Sequence, residues 1–303
     1  MDPTSSPLPD QLANISPVIV IAVVMALTLL RLSLAKVKDQ WARTISETCD
    51  TINFVLILAF LLIRPFVAQA FYIPSESMES TLLVKDRLIV DKLSYRFVPI
   101  NRHDVVVFEA PPNATSEHKE GIDFIKRLIG EPGDTIQVKE AKLTIDGEEK
   151  SESTGEDAHS YLRQQLSLVT DDSIKFFPDH ILINGKISMT PEEIASKLGR
   201  AGAKIVITPG QTLRNGEVQN EPYTREDPSY NFPSLPGSDN GSFRVDNPES
   251  NGSYKVPAGD VFMMGDNRNR SADSHIWGPL DKTRIVGKAR LVFWPLNRIG
   301  VIR

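Results

Sequence analysis

The chain has 303 residues and a formal net charge of −5 at pH 7, and 41% of its residues are hydrophobic. This length accommodates one large domain or two of modest size. The acidic balance does not provide the basic surface of a nucleic-acid-binding protein, so nucleic acid is not an expected partner. The single cysteine, Cys49, excludes an intramolecular disulfide and a multi-cysteine metal site, and a His-Glu-x-x-His motif is absent, so we expect no bound metal.

Two apolar runs lie near the N-terminus. Residues 11–30 include no formal charge and are numerous enough to span a bilayer core. The second run, 51–63, is followed by Arg64-Pro65, after which residues 66–72 are again mostly apolar. Length alone leaves this second run ambiguous between a membrane span and a helix buried in a soluble domain. We interpret both runs as transmembrane helices, near 11–30 and 51–69, within a membrane anchor that covers residues 1–70.

Basic residues between the two runs predict the orientation of this anchor. Arg31, Lys36, Lys38 and Arg43 lie in the segment 31–50. Because short loops rich in lysine and arginine remain in the cytoplasm, 31–50 is expected to be a cytoplasmic loop, with the N-terminus and everything after about Phe71 on the outer face. If the second run instead packs inside the soluble domain, that domain lies in the cytoplasm.

From residue 88 onward, short runs of β-branched and aromatic residues alternate with turn signals. The runs are 88–90, 104–108, 124–129, 134–138, 143–145, 261–264 and 289–294. This pattern predicts a mainly β domain, which we assign to residues 71–147 and 211–303.

Residues 148–210 interrupt the β pattern and are predicted to form an inserted α/β subdomain. They begin with a polar, acidic stretch and contain a short helix with clear end signals: Thr190 as N-cap, Pro191 at the first position, Glu193 closing a capping box and Gly199 as terminator. A second polar segment, 224–253, is predicted to be a long surface loop or partly disordered.

Two serines, Ser75 and Ser77, follow the second apolar run. A serine hydroxyl is a poor nucleophile unless a base removes its proton. Lys126 is the candidate base, because it lies in the apolar run 124–129, where burial would lower its pKa. For Lys126 to be mostly neutral near pH 7, its pKa must fall by about three units, which requires an environment that disfavours the charged amine by roughly 4 kcal/mol. The competing interpretation is an exposed strand lysine, with Arg127 facing the other way.

A polar loop at 265–278 follows the apolar run 261–264. It brings Asp266, Arg268, Ser271 and Asp273 close together in sequence, with Asn267 and Ser274. By composition alone it is a turn-rich loop with one or two ion pairs.

Taken together, these segments resemble the bacterial-type type I signal peptidases (leader peptidases), which are Ser-Lys dyad serine proteases. The matching segments occur in family order downstream of an N-terminal anchor: 73–82, 84–92, 102–108, 124–134, 220–223, 256–278 and 287–289. The resemblance implies a signal-peptidase-like antiparallel β catalytic domain held by two N-terminal transmembrane helices.

The same resemblance implies a function. It indicates a membrane-bound serine endopeptidase that removes N-terminal signal peptides from exported preproteins through an acyl-enzyme, without a cofactor or metal. The expected partners are preproteins and the lipid bilayer. The expected location is a bacterial-type cell membrane or a thylakoid membrane, with the catalytic domain on the periplasmic or lumenal face. Phe71, Tyr72 and Met78 would either enter the outer leaflet or pack in the core.

Carried over by position, the resemblance assigns Ser77 as the nucleophile and Lys126 as the general base. The Ser75 hydroxyl and the Ser77 backbone N–H match the oxyanion hole, and Ser271 matches the serine that hydrogen-bonds and orients the lysine. The remaining matches are expected to support the site, namely Asp266, Arg268, Asp273 and Arg127.

The sequence departs from the family pattern at three positions. Glu76 stands where a glycine is common between the two serines, which bears on the geometry of the oxyanion loop because glycine has greater backbone freedom. His103 replaces a common glycine. His275 replaces the usual arginine and would make the charges around Asp273 sensitive to pH.

Other functions compete for some of these residues. A Ser-His-Asp triad could use His103 or His275, although no Gly-x-Ser-x-Gly motif is present. Ser-x-x-Lys, a motif of penicillin-recognising enzymes, occurs at 33–36 and 116–119. Self-cleaving repressors share the Ser-Lys class but carry a DNA-binding module in place of membrane helices. An inactive membrane-tethered β scaffold that binds extended peptides is a further alternative.

Overall fold

The computed structural model describes residues 16–37, 39–63, 66–114, 121–151, 154–234, 243–246 and 248–303. The chain divides into two compact units. Unit 1 comprises Met1–Ile73, Lys85–Pro99 and Gly287–Ile302, and unit 2 comprises Pro74–Val84, Ile100–Val286 and Arg303. Several sequence features named above lie outside the described residues, namely 11–15, Lys38, Arg64-Pro65 and the motif at 116–119.

Two helices dominate the N-terminal part of unit 1. Helix α1 spans Pro17–Leu34, and helix α2 spans Gln40–Leu56 and continues as a π-helix over Ile57–Ile63. The helices are joined by polar contacts, because Arg31 pairs with Asp50 at 2.7 Å and the Asn53 amide donates to the Thr28 hydroxyl at 3.2 Å. Within the described part of the chain, none of the helices is both long and apolar enough to traverse a bilayer.

The boundaries of these helices differ from the predicted ones. The segment 31–50 is mostly helical, since α1 continues to Leu34 and α2 begins at Gln40. The physical reason is that α2 is amphipathic, with Ala42, Cys49 and Asn53 buried on one face while its charged side chains are exposed. Of the basic residues that suggested a loop, Arg43 lies on the exposed face of α2, Arg31 lies in α1 and Lys36 follows the end of α1.

The described residues also form three short helices and eighteen strands. The short helices are α3 Ala158–Gln165, α4 Pro191–Lys197 and α5 Ser274–Trp277. The strands are β1 Ala68–Tyr72, β2 Arg87–Asp91, β3 Val105–Glu109, β4 Asp123–Gly130, β5 Thr135–Lys139, β6 Lys142–Ile145, β7 Glu148–Lys150, β8 Ile174–Phe176, β9 Ile181–Ile183, β10 Ile187–Met189, β11 Ile205–Thr208, β12 Gln211–Arg214, β13 Glu217–Val218, β14 Tyr254–Lys255, β15 Asp260–Met264, β16 Leu280–Asp281, β17 Ile285–Trp294 and β18 Gly300–Val301.

The structure confirms the predicted mainly β character. Each of the seven β-type runs overlaps a strand, from β2 to β17, and the strand pairs within each unit are antiparallel. In unit 1, β2 lies between β1 and β17, and β18 pairs with β17. Strand β1 begins at Ala68, so the predicted second helix does not extend to residue 69.

In unit 2, a sheet in the order β3-β4-β15-β16 carries the candidate site. Lys126 of β4 faces Val106 of β3 across the ladder, and Arg127 of β4 is in register with Met264 of β15. A second sheet in the order β13-β12-β5-β14 shares an apolar core with this region, and the core includes Ile129 and Phe262. Strand β4 is thus held in the centre of its sheet by partners on both sides.

A separate apolar core lies within residues 141–207 of unit 2. It is built by β6, β8, β9, β11 and the helices α3 and α4. The predicted cap of α4 is confirmed, because the Thr190 hydroxyl accepts from Glu193 N–H and the Glu193 carboxylate accepts from Thr190 N–H at 2.9 Å. The division into an anchor, a catalytic domain and an inserted subdomain at 148–210 stays a prediction.

The predicted surface loop at 224–253 is wrong for its first part. Tyr230 and Phe232 are buried, and Phe232 exchanges two backbone hydrogen bonds with Val138 of β5 at 2.7 and 2.9 Å. These aromatic rings bury enough apolar area to hold a largely polar segment against the core. Residues 235–242 and 247 of this segment lie outside the described residues.

Candidate active site

A short loop at residues 74–80, hereafter the serine loop, presents Ser77. Its turn is closed by backbone hydrogen bonds such as Leu82 N–H to the Met78 carbonyl at 2.9 Å. Met78 and Leu82 are fully buried and anchor the loop in the core of unit 2. Burial of Met78 favours core packing over insertion into a membrane leaflet.

Lys126 and Ser77 meet in a buried position. Lys126 Nζ lies 2.8 Å from Ser77 Oγ and also donates to the Ile125 carbonyl at 3.1 Å. Lys126 is 5% exposed and Ser77 is 7% exposed. The interpretation of Lys126 as an exposed strand lysine is therefore wrong.

The surroundings of Lys126 favour its neutral form. Burial lowers the pKa of Lys126 to about 8, although Asp273 and Asp266 act in the opposite direction. With a pKa near 8, about one lysine in ten is neutral at pH 7, and about half are neutral at pH 8. Lys126 can thus accept a proton close to physiological pH, and the nearest hydroxyl for it is that of Ser77.

Ser75 lies at the exposed side of the same loop. Its Oγ is 3.4 Å from Ser77 Oγ, so the two hydroxyls occupy one small region. If Ser77 attacked a carbonyl, the oxyanion would form close to this region, where a hydrogen-bond donor could stabilise it.

Arg127 points away from Lys126, because consecutive strand residues face opposite sides of a sheet. Its side chain is also buried. Its guanidinium donates to both carboxylate oxygens of Asp266, at 2.8 and 2.7 Å, and to the Thr81 hydroxyl at 3.1 Å. It also lies over the Tyr223 ring, 4.0 Å from the centroid. This cluster fixes β4 to the beginning of the 265–278 loop.

Arg268 forms a second buried cluster on that loop. It donates to the Gly265 carbonyl at 3.1 Å and to Glu221 Oε1 at 2.6 Å, and it also bonds to the Thr212 hydroxyl. Burial alone would raise the pKa of Glu221, but the Arg268 charge holds it below the usual value. Glu221 was not identified from the sequence as a partner, although it lies in the family-like segment 220–223.

Asp273 organises the far end of the loop. Its carboxylate accepts from Gly265 N–H at 2.9 Å, from His275 N–H at 3.2 Å and from His275 Nδ1 at 2.6 Å. Burial would raise the pKa of Asp273, yet the His275 contact, the Gly265 N–H and the Lys126 charge together keep it low. His275 also stacks on Tyr230 at 4.1 Å between ring centroids.

Ser271 is brought to the site but does not make the expected hydrogen bond. Its Oγ is buried and lacks a hydrogen-bond partner in the part of the chain described here. It packs against Gly265, where an added Cβ would lie 2.2 Å from Ser271 Oγ and 2.5 Å from the Ser77 carbonyl oxygen. Gly265 is therefore the residue that lets the serine loop and Ser271 approach each other, a requirement that sequence reasoning missed.

The other two departures from the family pattern also have structural counterparts. Glu76 pairs with Arg270, and its carbonyl accepts from the Asn267 amide at 3.2 Å. His103 has a φ of 68°, a left-handed conformation that glycine adopts more readily, and its Nδ1 lies 2.9 Å from the Tyr223 hydroxyl.

The geometry does not support the alternative Ser-His-Asp triad. His275 is bonded to Asp273, and His103 is bonded to Tyr223. Neither histidine hydrogen-bonds to a serine among the residues that the structure describes. Ser33 of the N-terminal Ser-x-x-Lys motif bonds to the Leu30 carbonyl within its own helix.

Comparisons with known proteins found a matching family model and several relatives. A family model described as signal peptidase, peptidase S26, matches residues 45–190 and 197–294. Signal peptidase I of Leptolyngbya laminosa is 32% identical over 256 residues, covering 84% of this chain and 82% of the relative. Signal peptidase I of Aquifex aeolicus (strain VF5) is 31% identical over 260 residues, covering 80% and 81%. Thylakoidal processing peptidase 1 of Arabidopsis thaliana is 24% identical over 267 residues, covering 86% and 53%.

Proposed function

The chain belongs to the signal peptidase family, peptidase S26, whose serine proteases remove signal peptides, and we propose that it does so as a membrane-bound Ser-Lys enzyme. In this proposal Ser77 is the nucleophile and Lys126 is the general base. The observation that carries it is the buried 2.8 Å contact between Lys126 Nζ and Ser77 Oγ, in a setting where burial lowers the pKa of the lysine to about 8.

The proposed reaction proceeds in two halves. Neutral Lys126 removes the Ser77 hydroxyl proton while Oγ attacks the scissile carbonyl, and the protonated lysine then gives this proton to the leaving amine. Water attacks the resulting acyl-enzyme, with Lys126 again accepting a proton, and the Ser77 hydroxyl is regenerated. The Ser75 hydroxyl and the Ser77 N–H stabilise the oxyanion in both halves.

The remaining residues of the polar loop hold this geometry in place. The Arg127–Asp266 pair fixes β4, on which Lys126 lies, relative to residue 266. Arg268 and Asp273 bind the carbonyl and the N–H of Gly265, whose position next to the Ser77 carbonyl depends on them. Ser271, whose hydroxyl lies beside Gly265, is proposed to orient the Lys126 amine.

Recognition of the preprotein follows from backbone pairing. An extended signal-peptide segment would add to an exposed strand edge, which provides affinity without dependence on sequence. Small side chains at positions −1 and −3 would fill shallow apolar pockets, and the pocket size would set specificity.

We further propose that unit 1 attaches the enzyme to a membrane, either a bacterial-type cell membrane or a thylakoid membrane. Helix α1 supports this because it exposes large apolar side chains, including Val18 at 72% and Leu29 at 67%. The basic residues Arg31, Lys36 and Arg43 would lie on the cytoplasmic side and the catalytic unit on the periplasmic or lumenal side. Retention in the pellet after alkaline carbonate extraction supports attachment, whereas release into the supernatant contradicts it.

The activity is tested by cleavage of a labelled preprotein with the detergent-solubilised wild type, Ser77→Ala and Lys126→Ala. We expect the wild type to cut after a small residue and both variants to lose essentially all activity while keeping the wild-type circular dichroism spectrum. Ser196→Ala and Lys197→Ala are matched controls, because both side chains are exposed on α4. Cleavage by the folded Ser77→Ala variant would contradict the assignment, and a wild type that binds the preprotein without cutting it would favour the scaffold function.

A further inference from the structure

Two acidic side chains of the serine loop, Glu76 and Glu79, form ion pairs with arginines. Glu76 lies between Ser75 and Ser77, and its carboxylate accepts from Arg270 at 2.7 Å. The same arginine contacts Asp171 at 2.8 Å and donates to the Thr170 carbonyl at 2.7 Å. Arg270 thus binds the residue between the two serines and also the segment 170–171.

Backbone contacts add to this hold on the serine loop. Asn267 N–H donates to the Ser77 carbonyl at 3.1 Å, and the Asn267 amide donates to the Glu76 carbonyl at 3.2 Å. Together with the Arg270 contact, these bonds fix the Glu76 residue through both its backbone and its side chain. The peptide that joins Ser75 to Ser77 is therefore positioned by residues 267–270.

A second arginine makes a parallel connection. Arg225 pairs with the carboxylate of Glu79 in the serine loop and donates to the Asp171 carbonyl, and its own N–H bonds to the Asp266 carbonyl at 3.0 Å. Two arginines thus link the acidic residues on either side of Ser77 to the same neighbouring segment.

We propose that Arg270 is a positioning residue that acts through Glu76 to hold the Ser75–Ser77 peptide in its reactive geometry. This inference rests on the proposed function of Ser77 and Ser75. Glycine at position 76 would have no side chain for such a contact. With glutamate there, the Glu76–Arg270 pair adds a side-chain restraint on the backbone between Ser75 and Ser77. The arginine also offsets a carboxylate beside the proposed oxyanion hole, where an unpaired negative charge would oppose the developing oxyanion.

The pair is open to solvent and should respond to salt. The Arg270 side chain is 28% exposed and that of Glu76 is 48% exposed. Dissolved ions screen such pairs over a Debye length of about 10 Å at 0.1 M ionic strength and about 3 Å at 1 M. The contribution of the pair to the rate should therefore shrink as salt is added.

The test compares steady-state cleavage by the wild type, Glu76→Gln, Arg270→Gln, the double variant and Arg270→Lys. We expect Arg270→Gln to lower kcat about tenfold while KM stays within about twofold, because the loss falls on the transition state. The double variant should be no slower than Arg270→Gln, since residues that act as a unit are not additive. Arg270→Lys should recover part of the rate.

Salt dependence separates positioning from a purely structural role. The ratio of wild-type kcat to double-variant kcat should fall toward one as NaCl is raised from about 0.05 to 1 M. A lower kcat caused by loss of folded protein would not be reduced by salt in this way. Arg244→Gln is a matched control, because Arg244 is 90% exposed and pairs only with Asp246 among the described residues.

The outcomes are distinct from those that test the dyad. An Arg270→Gln variant with kcat within twofold of the wild type would overturn the inference, as would losses in Glu76→Gln and Arg270→Gln that multiply in the double variant. Either result would leave the assignment of Ser77 and Lys126 as catalytic residues unaffected, provided that the wild type cleaves and Ser77→Ala does not. An inactive wild type would instead overturn the proposed function.

Discussion

Arg127 and Asp266 face each other through two parallel hydrogen bonds, Nε to Oδ1 and Nη2 to Oδ2, and each side chain is only 1% exposed. The pair joins strand β4 to the start of the polar loop. Thr81, next to the serine loop, bonds to both members, so one buried cluster connects all three segments of the candidate site. The partners compensate each other's charge in a place where water does not reach.

Removing one charge of this pair should destabilise the fold. In Asp266→Asn, the buried guanidinium of Arg127 loses its compensating charge, and we expect the free energy of unfolding to fall by about 3–5 kcal/mol. Urea denaturation followed by circular dichroism measures the change. Asp246→Asn is the matched control, since it breaks the exposed pair with Arg244, and its midpoint should match that of the wild type. Equal midpoints for the two variants would contradict the expectation.

The rate of cleavage should rise with pH. The base must be neutral to accept the Ser77 proton, and burial lowers the pKa of Lys126 to about 8. We therefore expect kcat/KM to increase about tenfold per pH unit well below 8 and to level off above it. Measurement between pH 6 and 10, with Ser77→Ala as the blank, tests this profile. A rate that is flat or falling between pH 6 and 8 argues against Lys126 as the base.

The strands were predictable because β-branched and aromatic residues between turn signals are local features of each run. All seven runs overlap strands, and the capping box at Thr190 and Glu193 is likewise a local signal. The start of α2 was missed because the charges of 40–50 concealed an amphipathic helix. Burial of Phe232 was missed because it depends on pairing with Val138, far away in the chain.

The candidate site was predictable to a different degree. The resemblance identified Ser77 and Lys126, which the structure brings to 2.8 Å. The partners Glu221 and Arg270 could not be assigned, because Arg268 bonds across 47 residues and Arg270 across 194, and spacing alone does not select between many carboxylates. Such contacts become visible only when the loops have been placed.

Replacing Gly265 should disturb the serine loop. An alanine Cβ would lie 2.5 Å from the Ser77 carbonyl oxygen and 2.2 Å from Ser271 Oγ, closer than atoms can approach. Because the backbone at Ser77 must move, we expect Gly265→Ala to lower kcat at least about a hundredfold, as small displacements of catalytic groups do. Gly300→Ala is the control, since its Cβ meets its nearest atom at an ordinary 3.8 Å. Wild-type rates in Gly265→Ala would show that the loop tolerates the displacement.

Replacing the buried lysine by methionine should raise stability while it removes activity. The pKa of Lys126 is about 8 in the folded chain and 10.5 in the reference state, so folding disfavours the charged amine. The unfolded chain binds more protons between these values, and the wild type therefore gains stability as pH rises from 8 to 10.5 and lacks that gain below 8. At pH 7, burial of the charged lysine lowers the free energy of unfolding of the wild type by about 3 kcal/mol. In Lys126→Met this destabilisation is absent, but the Ser77 hydroxyl loses a hydrogen-bond partner worth about 1 kcal/mol.

We accordingly expect the free energy of unfolding of Lys126→Met to exceed that of the wild type by about 1–2 kcal/mol at pH 7, which is the difference between these two effects. The excess should shrink between pH 8 and 10.5 as the wild-type lysine becomes neutral in the folded chain. Urea denaturation at pH 7 and at pH 9.5 measures both values. Lys197→Met, at an exposed position on α4, should show no such pH-dependent difference from the wild type. A Lys126→Met variant that is less stable than the wild type at both pH values would mean that burial does not disfavour the charged lysine, and the case for a neutral base would then fail.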